Sequence, residues 1–119
     1  MELLDNLYFI SDRSESDFAI RLNPDNVIYK AHFPGEPVTP GVVLIQISVE
    51  LLQLLTECSL QLSGIRNVKF LRTVNPIETP SVSFSFQKVQ KDEDEVKVQV
   101  IVISGEDVYA KISLVCRII

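Results

Sequence analysis

One long apolar segment constrains the fold of this chain more than any other feature. Residues 42–55 read VVLIQISVELLQLL, and Pro40 stands just before them. A strand of a globular sheet rarely exceeds about 10 residues, so this segment predicts a buried helix, which we place at residues 40–58. Thr39 is the expected N-cap and Pro40 the expected first helical residue, since both types favour those positions.

After Gly64 the apolar residues recur with a period of two, which is typical of half-buried strands. Strands are predicted from about residue 65 to 75, at 82–86, 96–102 and 108–116, with turns at 92–95 and 105–107. An earlier strand is predicted at 18–22, followed by a long loop at 23–40, and no element is assigned to residues 1–15. One helix followed by an antiparallel meander indicates a single α+β domain over residues 1–119.

Composition excludes several classes of function. The net charge of −5 argues against a nucleic-acid binder, which would show a basic face. No apolar run reaches the length of about 20 residues that a membrane span needs, and the first residues lack the basic start of a signal peptide. We therefore expect a cytoplasmic protein. Cys58 and Cys116 match no metal spacing, and we expect two buried, reduced thiols and no metal site.

The loop before the helix holds the only histidine, His32, together with Pro34, Pro37 and Pro40. Histidine exchanges a proton near neutral pH without a perturbed pKa, and prolines lower the entropy lost when a loop is ordered. His32 is therefore a candidate catalytic base. From the residues alone, a loop histidine with a structural hydrogen bond is the competing interpretation.

The segment HFPGEPVTPGV at residues 32–42 resembles the signature of the β-hydroxyacyl-[acyl-carrier-protein] dehydratases, with Thr39 in place of the usual Met. The later segment NVKFLR at residues 67–72, followed by Pro76, resembles another strand of that family. The resemblance implies a hotdog fold, in which an antiparallel sheet wraps around one long central helix. In active members a glutamate or aspartate follows the histidine by fourteen residues, and here that position is Gln46.

The reaction that the resemblance implies is dehydration of a 3-hydroxyacyl thioester to the trans-2-enoyl thioester, in fatty-acid or polyene synthesis. His32 would remove the α-proton, and the N–H of Gly41 or Val42 would polarise the thioester carbonyl. Phe33 and Val42 would line the acyl slot. Gln46 cannot act as an acid, although its amide can position a water. Glu50, one turn later, is either part of a solvated helix face or a displaced stand-in for the missing acid.

The resemblance also implies an acidic acyl-carrier protein as the partner, with the substrate on its phosphopantetheine arm and no bound cofactor. Arg66, Lys69 and Arg72 form the densest basic cluster and are the predicted docking patch, unless they are scattered surface charge. A side-by-side homodimer, a higher oligomer of dimers or a heterodimer with a paralogue is expected, with His32 of one subunit facing Gln46 of the other.

Three functions remain open on the sequence. The first is an active dehydratase that works with Gln46. The second, motivated by Gln46, is a catalytically degenerate subunit that binds acyl-carrier protein or pairs with an active paralogue. The third is a thioesterase or another acyl-thioester enzyme, including one that takes coenzyme A thioesters.

Overall fold

A computed structural model of the chain describes residues 2–31 and 35–119, and in this part of the chain two strands are followed by two helices and then by four strands. The elements in chain order are β1 Tyr8–Arg13, β2 Asp17–Leu22, α1 Val27–Ala31, α2 Gly41–Thr56, β3 Leu60–Phe70, β4 Ser81–Lys91, β5 Glu95–Ser104 and β6 Asp107–Ile118.

The six strands form one sheet in the order β1-β2-β4-β5-β6-β3, and every neighbouring pair is antiparallel. The predicted antiparallel sheet is therefore confirmed. Strand β1 and helix α1 were not predicted, because the first lies in a mixed segment and the second in a presumed loop. Strand β3 begins at Leu60, where the sequence had predicted the end of the helix.

Helix α2 has 16 residues, so it starts one residue later and ends two residues earlier than the predicted 40–58. Pro40 is its N-cap residue, with φ −60° and ψ 147°, and no side chain caps it. The predicted capping role of Thr39 is therefore wrong. The helix ends at Thr56, and its C-cap residue, Glu57, adopts a left-handed conformation. Within the described ranges, no helix is long and apolar enough to cross a membrane.

The core lies between α2 and one face of the sheet. On β5 and β6, every second side chain points into this core, as the alternating pattern predicted. The helix contributes seven apolar residues to it, among them Leu44, Ile47 and Leu51, which have 0–2% of their surface exposed. The buried residues of β5 and β6 in this cluster are Val96, Val98, Val100, Val102, Ala110, Ile112, Leu114 and Cys116.

Both predicted hairpin turns are present. In the β4–β5 turn, the carboxylate of Asp92 accepts hydrogen bonds from the N–H groups of Asp94 and Glu95, at 2.8 and 2.9 Å. These bonds favour the charged carboxylate and lower the pKa of Asp92. In the β5–β6 turn, Gly105 has a φ of +60°, which glycine adopts without a steric penalty.

Candidate functional site

The start of α2 and the loop before it carry most of the predicted site. His32 and Phe33 lie outside the described residues. Gly41, Val42 and Gln46 all lie on the first turns of α2, which brings the predicted carbonyl-binding residues and the amide onto one short stretch of helix.

The described part of the loop is anchored at Thr39. Its N–H donates to the carbonyl of Val74 at 2.8 Å, and its hydroxyl is 2.9 Å from the hydroxyl of Tyr29 on α1. Both hydroxyl groups are buried, and burial raises the pKa of Tyr29. Thr39, which replaces the usual Met of the resembled family, therefore ties the chain entering α2 to α1 and to the segment after β3.

Gly41 is required by a close contact that the sequence did not reveal. A Cβ built on Gly41 would lie 2.5 Å from the ring atom Cζ of Phe70, closer than real Cβ atoms approach another atom. The space beside the Cα of Gly41 is therefore taken by the ring of Phe70. The adjacent Val42 has 72% of its side chain exposed, so it is available to line a slot.

The N–H groups at the start of α2 suit the proposed carbonyl-binding role. The first intrahelical bonds go from Val43 and Leu44 to the carbonyl of Pro40. No residue of the described ranges accepts a hydrogen bond from the N–H of Gly41 or Val42. Such groups carry the positive end of the helix dipole and favour a partly negative oxygen.

Glu50 is the centre of a buried hydrogen-bond network. Its side chain is only 6% exposed, and its carboxylate accepts from the N–H groups of Leu3 and Leu4 at 2.9 Å. The hydroxyl of Tyr8 donates to its Oε1 at 3.0 Å, and Nε2 of Gln46 donates to its Oε2 at 2.9 Å. A second bond from the Leu3 N–H reaches Oε1 at 3.1 Å.

This network corrects the interpretation of Glu50 as part of a solvated helix face. It also leaves little capacity for Glu50 to act as a stand-in acid, because both oxygens already accept hydrogen bonds from protein donors. Burial and the charge of Glu50 raise the pKa of Tyr8 far above its usual value, so the phenol stays a donor. Glu50 therefore has a structural and orienting role.

The network fixes the orientation of the Gln46 amide. An ionised carboxylate can only accept hydrogen bonds, so the amide nitrogen must face Glu50 and the amide oxygen must face the other way. Gln46 is half-buried. The helix thus presents a carbonyl oxygen at the position where the resembled family has a carboxyl group.

The three predicted docking residues have different neighbours. Arg72 forms an exposed ion pair with Asp107, with 3.4 Å between Nη2 and the carboxylate. Lys69 stands opposite Lys111 in the β3–β6 register. Arg66 lines a groove of about 440 Å³ on the sheet, together with residues of β4, β5 and β6.

Sequence reasoning missed Tyr8 and Phe70 as residues of this region. The bonds that hold Glu50 connect residues 42–47 positions apart, a separation at which no local pattern is visible. Phe70 had one available signal, the glycine at position 41, but the sequence cannot say which neighbour that glycine accommodates.

One 16-residue helix packed on a six-stranded antiparallel sheet is the arrangement of the hotdog class. A family model described as the ApeI-like dehydratases matches residues 10–111. The chain belongs to this family. The 3-hydroxyacyl-[acyl-carrier-protein] dehydratase FabZ of Latilactobacillus sakei is 28% identical over 100 residues, which cover 76% of this chain and 71% of that protein.

Solved structures agree on the fold. The dehydratase heterocomplex ApeI:P from Xenorhabdus doucetiae superposes with a TM-score of 0.62 at 17% identity, covering 92% of this chain and 94% of that chain. A thioesterase from Haemophilus influenzae superposes with a TM-score of 0.65 at 14% identity, covering 94% and 78%. At these identities the two structures show the hotdog fold and nothing further about activity.

Proposed function

We propose that this chain dehydrates 3-hydroxyacyl thioesters, carried on acyl-carrier protein, to trans-2-enoyl thioesters. The observation that carries the proposal is the dehydratase family match across residues 10–111. The FabZ relative supports the substrate class, because its name specifies a 3-hydroxyacyl group on acyl-carrier protein. Fatty-acid or polyene synthesis is the setting in which we place the reaction.

In the proposed mechanism, His32 is the catalytic base. Its neutral imidazole removes the α-proton, and the N–H groups of Gly41 and Val42 stabilise the negative charge that develops on the thioester oxygen. The C–O bond to the β-hydroxyl then breaks. Gln46 has no proton to give at this step, so the imidazolium returns its proton to the departing hydroxyl and water is released.

We propose that Gln46 orients the leaving group. Its amide nitrogen donates to Glu50, and its amide oxygen, which has two acceptor sites, offers one of them to the β-hydroxyl or to a water. Glu50 acts as a positioning residue, since it holds the amide nitrogen. In this arrangement the chain does without the second acid, and proton transfer depends on one histidine.

A second copy or a paralogue is proposed to complete the site along β3. This strand lies at the edge of the sheet, has 11 residues and carries exposed apolar side chains, including Leu62, Ile65 and Phe70. Exposed edges of this kind pair with other chains. The relative named as the ApeI:P heterocomplex shows that dehydratases of this fold occur in assemblies of two different chains. We propose a homodimer or such a heterodimer.

Acyl-carrier protein is proposed to dock on Arg66 and Lys69, which lie on β3, and on Arg72, which lies just after the end of that strand. An acidic carrier would be attracted to these charges in a chain that is otherwise acidic, and the attraction would raise the association rate. The phosphopantetheine arm would then bring the thioester to the start of α2. No resident cofactor takes part in the proposed reaction.

The experiment that tests the function uses purified protein and a 3-hydroxyacyl-carrier protein, with enoyl formation followed by mass spectrometry. Wild type is compared with His32→Ala and with Gln87→Glu, an exposed substitution on β4 that serves as the matched control. Turnover in wild type and in the control, lost in His32→Ala, is the expected result. The folded state of each variant is checked by circular dichroism.

Variants with a carboxylate at position 46 distinguish an active dehydratase from a catalytically degenerate subunit. Gln46→Glu alone would face the Glu50 carboxylate, so it is also tested together with Glu50→Gln, which exchanges donor and acceptor. An inactive wild type with an active double variant would show a degenerate site and favour the pairing or carrier-binding role. The absence of enoyl formation in wild type and in every variant would refute dehydration of that substrate.

A further inference from the structure

Two β-bulges lie at the same level of the sheet, one in β3 and one in β4. The register of β3 against β6 shifts around Arg66, and the register of β4 against β5 shifts around Lys88. Both bulges flank the same central pair, Val98 of β5 opposite Leu114 of β6. A bulge re-aims the side chain of its extra residue, and here each of the two bulges carries a cation.

The groove of about 440 Å³ lies over this central pair. Its lining combines cations and uncharged polar groups, without a carboxylate among the lining residues of the described chain. The cations are Arg66, Lys88 and Lys97, and the amides are Asn67, Gln90 and Gln99.

The cations of the groove are poorly neutralised. Among the described residues, neither Arg66 nor Lys88 has a carboxylate within ion-pair distance, and Lys97 has only the half-exposed Glu95, at 3.6 Å. Lys88 also has a φ of +52°, which non-glycine residues rarely adopt. Backbone strain of this kind gathers at binding sites. In a chain of net charge −5, this grouping of three cations, two of them without an ion-pair partner among the described residues, is a local exception.

The size and spacing of the groove favour a ligand with more than one phosphate. Neighbouring strands lie about 4.8 Å apart, so Arg66 on β3 and Lys97 on β5 have backbones roughly 10 Å apart. The volume falls within the range of about 300–1,000 Å³ that small-molecule sites occupy. Arginine and the amides can each donate to phosphate oxygens.

We propose that this groove, defined by Arg66, Lys88 and Lys97, binds the diphosphate group of a small molecule on the sheet face opposite the core. The diphosphate can be free or can belong to a nucleotide. The inference does not depend on the dehydratase reaction, because it uses neither His32 nor the helix start. Arg66 is the one residue that the groove shares with the proposed carrier-docking patch.

The test titrates the full chain with inorganic pyrophosphate and, separately, with ADP, using isothermal calorimetry at fixed ionic strength. Saturable binding is expected, with affinity lowered about tenfold in Arg66→Gln and in Lys88→Asn, since each loses one charge-assisted contact. Asparagine tolerates positive φ, so Lys88→Asn keeps the bulge. Lys111→Gln, an exposed charge outside the groove, is the matched control and should bind like wild type.

The affinities of the two ligands, and the effect of each substitution on them, distinguish the possible outcomes. Equal affinity for pyrophosphate and ADP assigns the site to the diphosphate itself, and tighter binding of ADP assigns it to a nucleotide. Binding that does not saturate, or that falls as much in Lys111→Gln as in Lys88→Asn, would overturn the proposal, because diffuse surface charge would then account for it. Circular dichroism confirms that each variant is folded.

Discussion

The hydrogen bond between Gln46 and Glu50 leads to a prediction about Gln46→Glu. The substitution places two carboxylates at a separation that is now 2.9 Å. Like charges that close cannot both stay ionised, so the pair must hold one proton in the folded state. Protonating a glutamate with an ordinary pKa of about 4.3 costs about 3.7 kcal/mol at pH 7 and about 1 kcal/mol at pH 5.

The sign of the pH dependence follows from that shared proton. The folded variant binds a proton that the unfolded chain releases above about pH 4.3. Its free energy of unfolding therefore falls, relative to wild type, as the pH rises. We expect a deficit of about 2–4 kcal/mol at pH 7 and about 1 kcal/mol or less at pH 5. The smaller loss of stability at pH 7 applies if the half-buried side chain at position 46 moves away from Glu50.

Exchanging the two residues places a hydrogen-bond donor opposite the new carboxylate and removes the repulsion that lowers the free energy of unfolding of Gln46→Glu. In Gln46→Glu combined with Glu50→Gln, the new amide nitrogen faces the new carboxylate. Its oxygen can still accept from Leu4 and Tyr8 and, at 3.1 Å, from Leu3, while the Leu3 N–H loses its 2.9 Å bond to the atom that becomes the amide nitrogen. The double variant is therefore expected to be more stable at pH 7 than Gln46→Glu alone, which is strong non-additivity for neighbouring sites.

Urea denaturation at pH 5 and pH 7, followed by circular dichroism, measures these free energies. Gln87→Glu is the control, and an exposed substitution of this kind is expected to change stability by no more than about 0.5 kcal/mol at either pH. A Gln46→Glu deficit that is the same at both pH values would refute the reasoning. So would a double variant no more stable than the single one.

Three further predictions concern other parts of the molecule. Gly41→Ala should push the Phe70 ring outward and destabilise the protein by about 1 kcal/mol, and thermal denaturation should show that loss vanish in Phe70→Ala. Ile65→Glu on β3 should dissociate the proposed dimer in light scattering, whereas Phe9→Glu on the opposite edge should leave it intact. Burial raises the pKa of Cys116 to about 11 from 9.0, so the free energy of unfolding should fall between those pH values, with a smaller fall in Cys116→Ala by urea titration.

The large elements could be predicted because their signals are local. The apolar run after Pro40 is too long for a strand, and the alternation of valines on β5 separates its two faces. Strand β1 escaped prediction because Ser11, Asp12 and Arg13 make it read as a polar segment, although hydrogen bonds to β2 hold it. Edge strands of this kind bury few side chains and leave a weak pattern.

The site could be predicted only in part, for a different reason. Gln46 follows from its spacing to His32 within a known signature. The role of Glu50 depends on the backbone N–H groups of Leu3 and Leu4, which are 47 and 46 residues away in the sequence. A charged residue on a helix reads as solvent-facing unless the segment that covers it is known, and sequence order does not reveal that segment.

The two edges of the sheet differ in a way that limits how far it can extend. Strand β3 has 11 residues, and Leu62, Ile65 and Phe70 on it are exposed apolar side chains, whereas β1 has only 6 residues and ends at Arg13. Short edge strands resist the addition of another strand. If β3 meets β3 about a two-fold axis, the interface is used up by a single partner. The sheet then has one edge, β3, that pairs with another chain and one edge, β1, that does not. Two chains can therefore pair, but further chains cannot add to the sheet to form a fibre.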